Sequence, residues 1–298
     1  MEKPSSLKQG DKIVILSTAR KISEKELEPA VNVFKSWGLE VVFGANLFQE
    51  EHQFAGTAEQ RASDFQVALD DEDVRAIICA RGGYGTVKII DEIDFSNFKT
   101  NPKWVVGYSD VTVLHNHINQ NFKIETLHAT MPINFSTNSQ ESLESLKKTL
   151  FGSELNYDFD KHQLNRNGVG KGKVVGGNLS ILYSLTGTNS QLNTAGKILF
   201  LEDLDEYIYH IDRMMLNLKR AGILADLAGL IVGGMSDMND NTIPFGKTAK
   251  EIIKEAVAEY NYPVCFDFPA GHIDDNRTLI MGREAELIVS EKCSLKFS

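Results

Sequence analysis

A serine set between a buried strand and a helix start is the most chemically suggestive feature of this 298-residue chain. In Lys103-Trp104-Val105-Val106-Gly107-Tyr108-Ser109-Asp110, apolar residues run into Gly-Tyr-Ser-Asp, and the pattern predicts a helix over residues 111–119. Such a turn lifts a hydroxyl out of a sheet and aims the amides of Ser109 and Asp110 at the group it attacks, which is the setting of a nucleophile elbow. The Gly-x-Ser-x-Gly pattern is half met, because Val111 replaces the second glycine. Ser109 or Asp110 acting as a helix N-cap explains the same residues. A serine also needs a base to take its proton and a third group to orient that base. Two more strand ends offer such groups. Glu202 follows Lys197-Ile198-Leu199-Phe200-Leu201, and His272 closes the loop Pro269-Ala270-Gly271-His272. A glutamate behind so apolar a strand is expensive to bury unless paired. Each also has a plain structural reading, Glu202 as a cap partner or salt bridge and His272 as a packed histidine. Spacing alone does not bring the three together.

The cluster Arg81-Gly82-Gly83-Tyr84-Gly85 follows an apolar strand over residues 74–80. Open α/β sheets bind ligands at such strand ends, and glycines there present bare N–H groups to a close-lying ligand. The spacing is not Gly-x-Gly-x-x-Gly and no acidic residue follows the next strand convincingly, which argues against dinucleotide binding. A glycine turn needed only for packing is the alternative. Beside Ser109, the loop would complete a nucleophile with an oxyanion hole. His128 is a base by type, although a structural role fits it better. His115 and His117 lack the i, i+4 spacing of a two-histidine metal face. Thr57 with Gln60 reads as a capping box.

The elements that position these residues alternate as strand, helix, strand. Strands are predicted at residues 12–16, 39–43, 74–80 and 104–106, with helices at 23–37 and 57–69 between them. That order implies a parallel sheet with helices on its faces. From 136 to 170 the composition turns polar, and Asp158-Phe159-Asp160 reads as surface. The domain division is placed there: 1–150 carrying the nucleophile, 151–170 as linker, and 171–298 carrying Glu202 and His272. The second part restarts with Val174-Val175-Gly176-Gly177-Asn178 and ends in an expected hairpin of residues 279–281 and 285–289.

Composition narrows the function. The chain is 42% hydrophobic and 24% charged, ordinary for a soluble globular protein. A net charge of −10 without basic clusters argues against nucleic acid. Three scattered cysteines suit neither a disulfide framework nor a zinc site. The N-terminal residues carry no apolar h-region and no stretch has membrane-spanning length, so a cytoplasmic location without membrane attachment is expected.

Taken together, these pieces resemble the LD-carboxypeptidase family of serine peptidases, which also contains the microcin C immunity hydrolases. The matching residues are Phe54-Ala55-Gly56-Thr57 with Gln60-Arg61, Arg81-Gly82-Gly83-Tyr84-Gly85, Gly107-Tyr108-Ser109-Asp110, Gly176-Gly177-Asn178-Leu179, Leu201-Glu202-Asp203, and Gly271-His272 with Asn276. They fall in family order and span nearly the whole chain. The resemblance implies Ser109 as nucleophile, His272 as general base and acid, and Glu202 as its orienting partner. It implies an oxyanion hole from the amides of Asp110 and Gly83, with Gly82 and Tyr84 lining the substrate site. It further implies an α/β fold: a flavodoxin-like N-terminal domain with a parallel sheet, a C-terminal domain of α/β type, and the active site at their interface, in a homodimer. Two departures stand out. Leu16-Ser17-Thr18-Ala19 lacks the usual Pro-Ser pair, and Thr278-Leu279-Ile280-Met281-Gly282 lacks the usual Leu-Pro. Both lie in loops or strand ends that shape a pocket.

The expected function is removal of the terminal D-alanine from a murein tetrapeptide during cell-wall recycling, with no metal or organic cofactor. The alternative is a hydrolase of the same mechanism acting on a microcin C-like aminoacyl nucleotide. A more remote one is a non-enzymatic small-molecule binding protein.

Overall fold

The structure is a computed structural model that describes residues 1–298. Its first half runs β1 (Lys12–Leu16), α1 (Glu24–Ser36), β2 (Glu40–Phe43), α2 (Ala58–Asp70), β3 (Val74–Cys79), α3 (Ser96–Thr100), β4 (Trp104–Gly107), α4 (Thr112–Asn121), β5 (Thr126–His128) and α5 (Gln140–Leu150). The second half runs β6 (Asn156–Asp160), β7 (Gly168–Asn178), α6 (Leu179–Ser184), β8 (Ile198–Leu204), α7 (Ile208–Arg220), β9 (Gly229–Ser236), α8 (Ala249–Ala256), β10 (Val264–Cys265), β11 (Leu279–Met281), β12 (Glu284–Val289) and β13 (Lys292–Phe297). Helix starts fall where the sequence supplies reciprocal caps. Ser23 with Glu26, Thr57 with Gln60 and Thr248 with Glu251 each close a capping box at the head of α1, α2 and α8.

The first sheet has the order β11-β5-β4-β3-β1-β2. β1 to β5 are mutually parallel and arranged 2-1-3-4-5, the flavodoxin-like order. Strands β3 and β4 are buried almost throughout, which is why they read as continuous apolar runs rather than alternating ones. The strand order reverses between β1 and β3, so the loops leaving those strands, 17–22 and 80–85, flank the crevice where such sheets take ligands.

The second sheet, β10-β9-β8-β7-β12-β13-β6, is parallel from β7 to β10 and antiparallel beyond. One apolar cluster runs through both sheets, holding Trp104 and Leu127 from the first and Phe200 and Ile231 from the second. Polar contacts reinforce the docking: Thr112, at the head of α4, accepts the backbone N–H of Asn178 at the end of β7 at 3.0 Å.

Two local expectations are corrected. Residues 279–281 and 285–289 do not form a hairpin: β11 joins the first sheet antiparallel to β5, while β12 pairs with β7 and β13 in the second. Both segments are strands, β11 wholly buried and β12 alternating, but a strand pattern does not choose a partner, and the turn at Gly282 (φ 95°) carries the chain from one sheet to the other. Residues 156–160, within the stretch assigned as a polar linker, form β6 along β13. There Tyr157 is buried and Phe159 half-buried between exposed aspartates, a period-2 edge strand inside acidic composition.

Candidate active site

Ser109 stands at the turn between β4 and α4 with φ 63°, a left-handed conformation that side-chain-bearing residues adopt at a cost. The short 3-10 turn of Ser109–Val111 follows and feeds into α4. Val111, in the place of the second glycine of an elbow, turns its methyls onto Gly107, where a Cβ would lie 2.8 Å from Val111 Cγ2. The strand-turn-helix geometry is therefore present without the full glycine pattern. Asp110 points inward: Oδ2 accepts the N–H of Thr86 at 2.8 Å, while Oδ1 has no partner in the chain. Burial raises this carboxyl above the ordinary aspartate value against the pull of those bonds and of Arg61.

The glycine loop closes over this turn. A Cβ on Gly82 would lie 2.9 Å from Ser109 Cβ, 3.0 Å from Ser109 Oγ and 3.5 Å from the Asp110 amide nitrogen, so only a glycine fits against the serine. The N–H groups of Gly82, Gly83 and Tyr84 donate to no backbone carbonyl. Thr18 and Thr86 tie the β1 and β3 loops together through their hydroxyls at 2.8 Å. Tyr84 is half exposed at the rim, its ring 6.4 Å from that of Phe54.

Glu202 and His272 arrive from the second sheet. The ladder of β8 with β9 slips register between Leu201 and Asp203, and Glu202 sits at this irregularity, wholly buried. His272 lies on the long connection that leaves β10 in the second sheet and returns to β11 in the first. That connection is held at several points. Gly271 donates to Asn276 Oδ1 at 2.8 Å, Ser236 Oγ to the His272 carbonyl at 2.7 Å, and Ser139 N to the Asp274 carbonyl at 2.8 Å. His272 Nδ1 donates to Glu202 Oε2 at 2.6 Å, and the His272 backbone N–H reaches the same oxygen at 3.1 Å. Burial opposes charge on both partners, yet their mutual attraction prevails. His272 is raised above the ordinary histidine value, with Asp203 adding, and Glu202 stays below the ordinary glutamate value. Nε2 is the nitrogen left to act on another group.

The Tyr108 ring lies 4.8 Å from that of His272, so the residue before Ser109 packs directly on the histidine. Its hydroxyl bonds Asn134 Oδ1 at 3.1 Å. The chain closes no hydrogen bond between Ser109 Oγ and His272, whose ring bond goes to Glu202. Asp203 is held by Asn178 Nδ2 and by the amides of Ser180 and Leu204. Burial, followed by the charge of Glu202, pushes it up to about 7.

The remaining histidines are placed otherwise. His128 is fully buried with neither ring nitrogen bonded, 4.9 Å from the Phe200 ring, and burial lowers it to about 3. His115 donates Nε2–H to the Gly107 carbonyl at 2.9 Å and is lowered by burial to about 4. His117 bonds Ser190 Oγ at 2.9 Å. Gly83 lies with φ 116° under the side chain of Arg20, so the glycine whose Cα faces Ser109 is its neighbour Gly82. Sequence reasoning passed over Tyr108, Ser236 and Arg20. Only Tyr108, by its adjacency to Ser109, carried a usable signal.

The fold is thus a two-sheet α/β arrangement with a serine at a strand-turn-helix corner and a buried Glu–His pair whose histidine packs on the residue before that serine. Comparison with known proteins gives the class. The family models for the LD-carboxypeptidase N-terminal and C-terminal domains match residues 13–129 and 171–287, and the chain belongs to that family of peptidases. It is 33% identical to the probable murein peptide carboxypeptidase of Bacillus subtilis, over 98% of this chain and 93% of that protein. The crystal structure of muramoyltetrapeptide carboxypeptidase from Oxalobacter formigenes superposes with a TM-score of 0.87 at 26% identity, covering 96% of this chain and 98% of that one. The microcin C7 self immunity protein MccF shares the fold, with a TM-score of 0.87 at 21% identity over 100% of this chain and 98% of its own.

Proposed function

We propose that this protein is a serine LD-carboxypeptidase that removes the terminal D-alanine of a murein tetrapeptide, acting in the cytoplasm during cell-wall recycling and as a homodimer. The observation that carries the reading is the buried Glu202–His272 pair, whose histidine packs on the residue preceding Ser109. Ser109 Oγ attacks the carbonyl of the terminal amide while His272 Nε2 takes its proton. Glu202 holds the ring in the tautomer with hydrogen on Nδ1 and stabilises the imidazolium that forms. The oxyanion is received by the amides of Gly83 and Asp110. His272 then protonates the departing nitrogen, D-alanine leaves, and water resolves the acyl-enzyme by the same steps in reverse. The free histidine nitrogen and the serine hydroxyl close their hydrogen bond when substrate fills the site. Gly82 supports the serine from behind, and Tyr84 at the rim contacts substrate.

The names of the relatives from Bacillus subtilis and Oxalobacter formigenes support a murein peptide as substrate. The test is release of D-alanine from purified murein tetrapeptide by wild type and by Ser109→Ala. Release by wild type alone, with a fall of several powers of ten in the variant, is expected. Equal activity of the two proteins would remove Ser109 from the mechanism.

A second reading has its own observation. Tyr207 and Tyr209, just beyond Glu202, are both substantially exposed with rings 5.6 Å apart, a surface on which a nucleobase can stack. An aminoacyl nucleotide would then be the substrate of the same chemistry. Competition between tetrapeptide and aminoacyl nucleotide in one assay separates the two.

A further inference from the structure

A carboxypeptidase must recognise the free carboxylate that lies one residue beyond the scissile carbonyl, and the neighbourhood of Ser109 contains one cation free to do so. We infer that Arg20 binds the terminal carboxylate of the substrate and so sets the enzyme's preference for a C-terminal residue; this rests on the carboxypeptidase reading above. Arg20 lies in the loop that leaves β1 where the strand order of the first sheet reverses. Its side chain lies across Gly83, where any Cβ would collide with Arg20 Cγ and Cδ. Gly83 in turn follows Gly82, whose Cα faces Ser109 Oγ. The guanidinium stem is thus seated one residue away from the glycine that touches the serine. A C-terminal carboxylate stands about one residue step, ~3.8 Å between Cα atoms, from the residue whose carbonyl is attacked.

The other cations nearby are already committed. Arg61 is buried and donates to the carbonyls of Thr18 and Gly56. Arg81 donates to the Lys21 carbonyl and stands 3.9 Å from Glu26, and Lys21 pairs with Glu50. Lys88 rests over the rings of Phe54 and Tyr84, 5.6 Å from each. Arg20 is exposed, and its guanidinium takes part in none of the chain's salt bridges. Its backbone is fixed all the same by a bridge to Phe54, the partner of Tyr84. On a chain of net charge −10, an exposed arginine outside every salt bridge, with the Lys88 ammonium on the neighbouring rings, suits an anionic end group. The planar fork of arginine matches a carboxylate in two parallel bonds.

The experiment compares murein tetrapeptide with the same peptide ending in D-alaninamide, for wild type, Arg20→Gln and Arg20→Lys. Wild type should favour the free acid in kcat/KM by ~10- to 100-fold, the range expected of a hydrogen-bonded charge pair. Arg20→Gln should bring the acid-to-amide ratio close to one, mostly through KM for the acid, and Arg20→Lys should keep part of the preference. An Arg20→Gln protein that retains the full preference overturns the role of Arg20 and leaves the carboxypeptidase reading standing. A wild type that releases D-alanine or its amide from neither peptide overturns both.

Discussion

One oxygen of Glu202 receives two donors from His272: the ring Nδ1 at 2.6 Å and the backbone N–H at 3.1 Å. A carboxylate gripped this way fixes the position of the loop and the plane of the ring at once. The other oxygen, Oε1, is buried without a partner in the chain, so the grip on His272 is the main compensation for burying this charge.

That relationship predicts a pH profile. In the proposed mechanism His272 must be neutral to accept a proton, and because it is raised above the ordinary histidine value, kcat/KM should rise with pH through a pKa above about 6.5. Glu202→Gln removes the attraction but not the burial. The acid limb should then move to lower pH, while kcat falls by roughly 10²- to 10⁴-fold. An acid limb unmoved in Glu202→Gln, measured on the tetrapeptide, would separate the pair from catalysis.

Ser109 gives a stability prediction independent of any substrate. Its φ of 63° is a conformation that a glycine adopts freely and an alanine does not. Ser109→Gly should therefore be more stable than Ser109→Ala by about 1 kcal/mol, although glycine gains entropy in the unfolded chain. Thermal melts of the two variants decide it. Equal melting temperatures would mean the turn relaxes at no cost.

What the sequence made visible was local. A strand running into Gly-Tyr-Ser-Asp, a glycine loop after β3 and a glutamate behind an apolar strand are each written within a few neighbouring residues. So is the capping box of Thr57 with Gln60 that starts α2. Which strand ends meet is decided elsewhere: by the docking of Thr112 against Asn178, and by a connection that leaves β10 and returns to the opposite sheet as β11. No local pattern encodes those choices, and the expected hairpin of residues 279–289 failed for that reason. β6 was hidden differently. Its alternation of Tyr157 and Phe159 was present, but acidic neighbours made the stretch look like surface. Arg20 carried no signal at all, since an arginine after a strand is ordinary until the glycine beneath it is seen.

Gly82 supplies a test of how tightly the serine is held. A methyl group there would meet Ser109 Cβ at 2.9 Å and approach the Asp110 amide, so Gly82→Ala must push the turn aside. Displacement of a reacting group by a fraction of an ångström to one ångström costs on the order of 10²-fold in rate. The variant should lose about that much in kcat and roughly 1–3 kcal/mol of stability from overpacking. Wild-type kcat in Gly82→Ala would show that the loop yields without moving the serine.

His128 tests the acid side of stability. It is buried among Tyr108, Phe200 and His115, with Glu202 and His272 as the other charged or titratable groups acting on it, and burial lowers it to about 3. The unfolded chain takes up this proton near pH 6.5. Between pH 6.5 and about 3 the unfolded state therefore binds more protons than the folded one, and stability falls on acidification by up to ~1.4 kcal/mol per pH unit from this residue. His115, lowered by burial to about 4, acts in the same direction between pH 6.5 and about 4. His128→Phe removes one of the two contributions. It keeps an aromatic ring against Phe200 and leaves no hydrogen bond broken, because neither nitrogen has a partner in the chain. Urea unfolding at pH 7 should find the variant at least as stable as wild type. At pH 5 the gap should widen in its favour by about 2 kcal/mol. A gap that stays constant between the two pH values would mean that His128 titrates alike in the folded and unfolded chains, and that its burial does not control its charge.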